Sequence, residues 1–145
     1  MSDTRMTEAE REAFLADLHV GVLSIPREGR APLAAPIWYA YEPGGDIVVI
    51  TGPDSLKGRL LKEGVPVSMV AQREEMPYAY VSVEGRVVAV EPGEVERDTR
   101  PLARKYLGEE FGDAYTEAVA KREEVRVTIR PERWLTVDYA KDMPV

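Results

Sequence analysis

Apolar residues recur along this chain with two periods. Phe14, Leu15 and Leu18 share one face of a helix predicted over roughly residues 8–18, and Thr7-Glu8-Ala9-Glu10 has capping-box spacing in front of it. The pattern then becomes that of strands. Val20 to Ile25 is a short β-rich run closed by the turn Pro26-Arg27-Glu28-Gly29-Arg30. Ala31 to Tyr41 (APLAAPIWYAY) is apolar at odd and even positions alike, which predicts one strand covered on both faces. Glu42-Pro43-Gly44-Gly45 turns it into a hairpin with Asp46 to Thr51. A helix carrying Leu56, Leu60 and Leu61 follows, stopped by Gly64.

Strand character resumes over Val65–Ala71 and, past Met76-Pro77, over Tyr78–Glu91. In the second run Val81, Val83, Val87 and Ala89 alternate with Tyr80, Ser82, Glu84 and Arg86 across the two faces. Two helical patches, near Thr99–Leu107 with Gly108 as terminator and near Gly112–Arg122, precede strands at Val125–Arg130 and Trp134–Tyr139. Six or seven strands joined by hairpins, with few helices between them, predict a mainly β fold. An antiparallel barrel with peripheral helices fits this order better than a βαβ sheet.

At 145 residues the chain has the size of a single domain, residues 1–145. With no cysteine and one histidine, His19, it offers no thiol nucleophile, no thiolate metal site and no common zinc constellation. The formal charge of −7 argues against a nucleic-acid footprint. No apolar run approaches a membrane span, and the polar start MSDTRMTEAEREAF does not resemble a secretory leader, so a cytoplasmic protein is expected.

Two segments carry candidate chemistry. In Thr51-Gly52-Pro53-Asp54-Ser55-Leu56-Lys57 a strand ends in a hydroxyl residue, a Gly-Pro turn follows, and a helix opens with a lysine. Thr51, Ser55 and Lys57 are donors suited to an anion such as phosphate. The same spacing also describes a helix capped by Ser55 or Asp54 with Lys57 in water, the commoner arrangement. In Pro36-Ile37-Trp38-Tyr39 a proline interrupts a strong strand, which leaves a gap in the ladder where a planar ligand would lie against aromatic walls. The alternative is that Trp38 and Tyr39 are core or interface aromatics.

Taken in order, APIWYAY, VVITGPDSLKGRLL, VPVSMVA, YVSVEGRVVAV, RKYLG and RVTIRPERW resemble the pyridoxamine 5′-phosphate oxidase-like family of flavin-binding split β-barrels over roughly residues 8–138. The resemblance implies a homodimer with flavin mononucleotide (FMN) at its interface, or in many members the deazaflavin coenzyme. It implies a phosphate site at Thr51, Ser55 and Lys57, ring-lining backbone at Pro36, Ile37 and Trp38, and a further contact at Tyr80, where the true oxidases commonly have glutamine. Basic residues of the true oxidases are replaced by Ala35, Ala40 and Leu56, so oxidation of phosphorylated vitamin B6 is not expected. A heme-degrading relative is disfavoured by the lone His19. The expectation is an FMN-dependent oxidoreductase acting on an unidentified small molecule. A deazaflavin-dependent reductase, favoured by Trp38 and the basic Lys57, Arg59 and Lys62, and a non-catalytic flavin carrier are the alternatives.

Overall fold

The computed structural model describes residues 3–144. Seven strands form one antiparallel sheet: β1 (Gly21–Arg27), β2 (Arg30–Ile37), β3 (Ala40–Tyr41), β4 (Ile47–Thr51), β5 (Pro66–Arg73), β6 (Ala79–Pro92) and β7 (Val125–Asp138). Their order across the sheet is β2-β1-β5-β6-β7-β4-β3. β2 and β3 are therefore opposite edges, yet only Trp38 and Tyr39 separate them in sequence. Three Cα steps from Ile37 to Ala40 span at most about 11 Å. The sheet must curl until its edges nearly meet, and this makes a barrel closed by the covalent chain instead of by a ladder.

The interior is filled from alternate positions. Leu23 and Ile25, Ile47 and Val49, Val81 and Val83, and Val127 and Ile129 are buried from four different strands. Tyr39 turns inward at the seam, fully buried, and its hydroxyl donates to the Leu15 carbonyl at 2.7 Å. Leu15 belongs to α1 (Glu8–Ala16), which closes one end of the barrel. Thr7 and Glu10 form the expected capping box. No helix among the described residues is long and apolar enough to cross a membrane.

Several sequence expectations change. α1 stops at Asp17, whose backbone is extended, so Leu18 lies beyond the helix and is exposed instead of sharing a face with Leu15. The single strand expected over Ala31–Tyr41 is two strands, and the hairpin with β4 involves only Ala40 and Tyr41. The ladder is interrupted at Trp38–Tyr39, not at Pro36, which sits opposite Val22 in β1. Conversely, the strands expected at Val125–Arg130 and Trp134–Tyr139 are one, β7, which runs through Pro131 opposite Gly85 of β6 and bulges there, Glu132 being the residue without a partner in the ladder. A Cβ at Gly85 would stand 2.6 Å from the Arg130 carbonyl oxygen, so the bulge requires glycine. A second bulge, between Val87 and Ala89, removes Ala89 from the buried alternation.

Two helices lie outside the barrel. α2 (Leu56–Leu60) is a single turn after β4. α3 (Arg100–Val119) follows a wide π-helical turn at Val95–Thr99 and breaks at Gly108, whose φ is 83°. The predicted stop at Gly108 is thus a kink between two helical halves. Arg100 and Arg104 on the first half pair with Asp113 on the second, each at 2.8 Å.

Candidate functional site

A cavity of about 220 Å³ opens where the seam of the barrel meets α2 and α3. Pro36, Ile37 and Trp38 form one wall; Ile50, Thr51 and Lys57 form another. The two segments singled out from sequence thus face one space, although β2 and β4 are not neighbours in the sheet.

The turn after β4 is held by Ser55. Its Oγ donates to the Gly52 carbonyl at 2.7 Å and accepts from the Gly58 amide at 3.0 Å, the N-cap arrangement. Because its single proton goes to Gly52, the contact with Thr51 Oγ1 at 3.0 Å is one in which Thr51 donates. Ser55 therefore caps and positions the turn, and it is Lys57 that remains available. The Lys57 side chain is half-buried in the cavity lining and forms no ion pair among the described residues. Arg59 and Lys62, the other basic residues of this region, are exposed.

The third wall comes from α3 and its flanks. Thr99, Leu102, Tyr115 and Glu124 complete the lining, and none was singled out by the sequence reading. Trp38 stacks on Tyr106 with 5.0 Å between ring centroids and 4° between planes, and Tyr115 lies tilted at 5.5 Å. Tyr106 and Tyr115 were the available signal, but no periodicity links them to Trp38, so far back along the chain.

α3 also repairs the seam. The Tyr39 amide, without a strand partner, donates to the Tyr106 hydroxyl at 3.1 Å, which in turn donates to the His19 carbonyl at 2.6 Å. The Tyr39 carbonyl accepts from Lys105 Nζ at 3.2 Å. Burial raises the Tyr106 phenol above its ordinary value and lowers the Lys105 ammonium. Burial likewise pushes the Glu124 carboxyl up, with Arg122 opposing. Tyr106→Phe should destabilise the protein by about 2 kcal/mol, since it orphans the Tyr39 amide and the His19 carbonyl; urea unfolding of the two proteins measures this.

Tyr80 lies elsewhere. It sits on β6 between Gln72 and Val137 and does not line the cavity. Of the residues that replace basic ones of the true oxidases, Ala35 is on β2, Ala40 is on β3, and Leu56 is exposed at the start of α2.

A family model described as pyridoxamine 5′-phosphate oxidase matches residues 7–138. The chain belongs to the pyridoxamine 5′-phosphate oxidase family. Its barrel is shared with solved structures. A conserved hypothetical protein from Mycobacterium tuberculosis superposes with a TM-score of 0.79 at 22% identity, covering 100% of this chain and 93% of that one. An F420 reductase gives 0.68 at 20% identity over 86% of this chain and 94% of that one. A FAD-binding protein from Mesorhizobium loti gives 0.60 at 18% identity over 94% and 96%. At these identities the likeness is one of fold. None of the curated proteins compared with the chain matches it.

Proposed function

We propose that this member of the pyridoxamine 5′-phosphate oxidase family is a cytoplasmic, homodimeric oxidoreductase that binds FMN in the seam cavity. The observation that carries the reading is the meeting of Pro36-Ile37-Trp38 and Thr51/Lys57 in one space. The donor set fits the group. Lys57, half-buried and without an ion pair among the described residues, is the cation for the phosphate, on a turn that Ser55 holds, while the Pro36–Trp38 segment flanks the ring. When bound, the cofactor supplies hydride chemistry, and the chain's part is orientation and electrostatics. Trp38, stacked on Tyr106 and tilted against Tyr115, forms the aromatic wall at the ring end.

The homodimer is supported by size and exposure. The cavity's 220 Å³ is below the roughly 300–1,000 Å³ of ordinary ligand pockets, so a second copy would complete it. Leu56, beside Lys57, and Tyr115, in the lining, are exposed apolar surface at its mouth. Tyr80, distant from the cavity in its own chain, contributes to the cofactor only if it does so across such an interface.

A deazaflavin coenzyme is the second reading, favoured by the fold shared with the F420 reductase and by Arg59 and Lys62 near Lys57 for an acidic tail. Absorption spectra of the purified protein, followed by parallel fluorescence titrations with FMN and the deazaflavin, separate the readings. Yellow protein, or FMN binding tighter than that of the deazaflavin, is the expected result. Colourless protein that binds neither would end both readings, and bound flavin that no common reductant or oxidant turns over would make the protein a carrier.

A further inference from the structure

A second cavity, of about 310 Å³, lies on the other side of Ile50 and Leu102, residues that line both spaces. Its apolar surface comes from Ala40, Val48 and Ile50 on the barrel and from Pro101 and Leu102 on α3. Its charges are three cations, Arg97, Lys105 and Arg126, against two carboxylates, Glu42 and Asp98. Two further carboxylates outside the lining, Glu91 and Glu94, pair with Arg126 and Arg97.

The three cations are not equivalent. The Asp98 side chain, only 3% exposed, is held by Arg97 at 2.8 Å and by Arg126 at 3.1 Å, and Arg126 also reaches Glu91 at 3.2 Å. Both arginines are committed to internal pairs. Lys105 has no carboxylate within ion-pair distance among the described residues. Its ammonium rests over the rings of Tyr39 and Tyr106, 4.9 and 5.5 Å from their centroids, and gives one hydrogen bond, to the Tyr39 carbonyl. The acidic group nearest in influence is Asp17, at the end of α1. An ammonium has three donors, so two remain for a ligand. A half-buried cation without an anionic partner in a cavity is an unusual expense for a fold unless something binds it.

We propose that this second cavity is the substrate pocket, and that it takes a small apolar monocarboxylate whose carboxylate is fixed by Lys105. An apolar body anchored there extends over Val48 toward Ile50 and Leu102 and ends beside the cofactor cavity. This role as a substrate pocket rests on the reading that the first cavity holds the cofactor. A single ammonium without a carboxylate partner matches a monoanion, whereas a phosphate dianion would bring a second negative charge into a lining that already holds Glu42 and Asp98.

Benzoate, benzamide and phenyl phosphate serve as probes, titrated calorimetrically into the wild type and Lys105→Gln, with and without FMN. Glutamine, one atom shorter, keeps an N–H donor on the side chain and removes the charge together with its contacts over the Tyr39 and Tyr106 rings. The wild type should bind benzoate about tenfold or more tighter than benzamide, the scale of a charge-assisted hydrogen bond, and Lys105→Gln should abolish that preference. FMN affinity should be the same in both proteins, and benzoate should shift the visible spectrum of bound flavin. Equal binding of benzoate and benzamide, or a preference that survives in Lys105→Gln, overturns the site. Tighter binding of phenyl phosphate overturns the monoanion assignment, and a flavin spectrum indifferent to bound benzoate overturns the substrate role. A carboxylate preference in a protein that binds no flavin overturns the cofactor reading and leaves the Lys105 site standing.

Discussion

Gly58→Ala should destabilise the protein by about 3 kcal/mol, the upper end of the usual range for overpacking, and abolish FMN binding. A Cβ at this buried position would run into the Gly52 carbonyl oxygen and stand 3.0 Å from Pro53 Cα. Both obstacles are backbone, so no side chain can swing aside. The turn would have to open, and the Gly58 amide would leave Ser55 Oγ as it did so. Ser55 would then lose its place between Gly52 and Thr51, and Lys57 would move out of the cavity lining. Gly52→Ala is the control, because its Cβ would meet nothing nearer than the Glu123 carbonyl at 3.9 Å. Urea unfolding that gives the two variants equal stability would show that the close approach of α2 to the Gly52-Pro53 turn does not hold.

Lys57→Ala should weaken FMN binding by about 1.5–3 kcal/mol, or roughly ten- to over a hundredfold, and leave thermal unfolding unchanged. The side chain takes no part in the described hydrogen bonds or ion pairs, so its removal orphans no partner. Riboflavin, which lacks the phosphate, isolates the charge-assisted contact: its affinity should change less than about twofold. Equal losses for FMN and riboflavin would mean that Lys57 touches the ring or the polyol and that the phosphate lies elsewhere.

What the sequence disclosed follows from how far each signal reaches. Strict alternation located β6 and most of β7, because one face of each is packed and the other wet. The hydroxyl, turn and cap residues around Gly52 located the first half of the cavity. The break at Trp38–Tyr39 was hidden because both residues are aromatic and the strands on either side are the opposite edges of the sheet. Pro36 drew attention to the right segment for the wrong reason: it keeps its place opposite Val22, and the gap begins two residues later. The α3 wall was not legible at all. Nothing local tells Tyr106 that its hydroxyl will bridge Tyr39 to His19, or Tyr115 that it will face Trp38. Such roles depend on the tertiary approach of a helix whose own turn near Gly108 is set by one positive φ.

The pairing of β4 with β7 sets the order in which this molecule can be assembled. Thr51, at the lip of the cavity, lies opposite Val125, and Ile47 lies opposite Ile129. Contacts so distant along the chain form late and slowly compared with local hairpins such as β1–β2. During synthesis, the first half of the barrel can be complete in sequence while β4 has no partner but the two-residue β3. The wall holding Thr51 therefore awaits emergence of β7 from the ribosome, and the seam cavity takes shape only after that strand has paired.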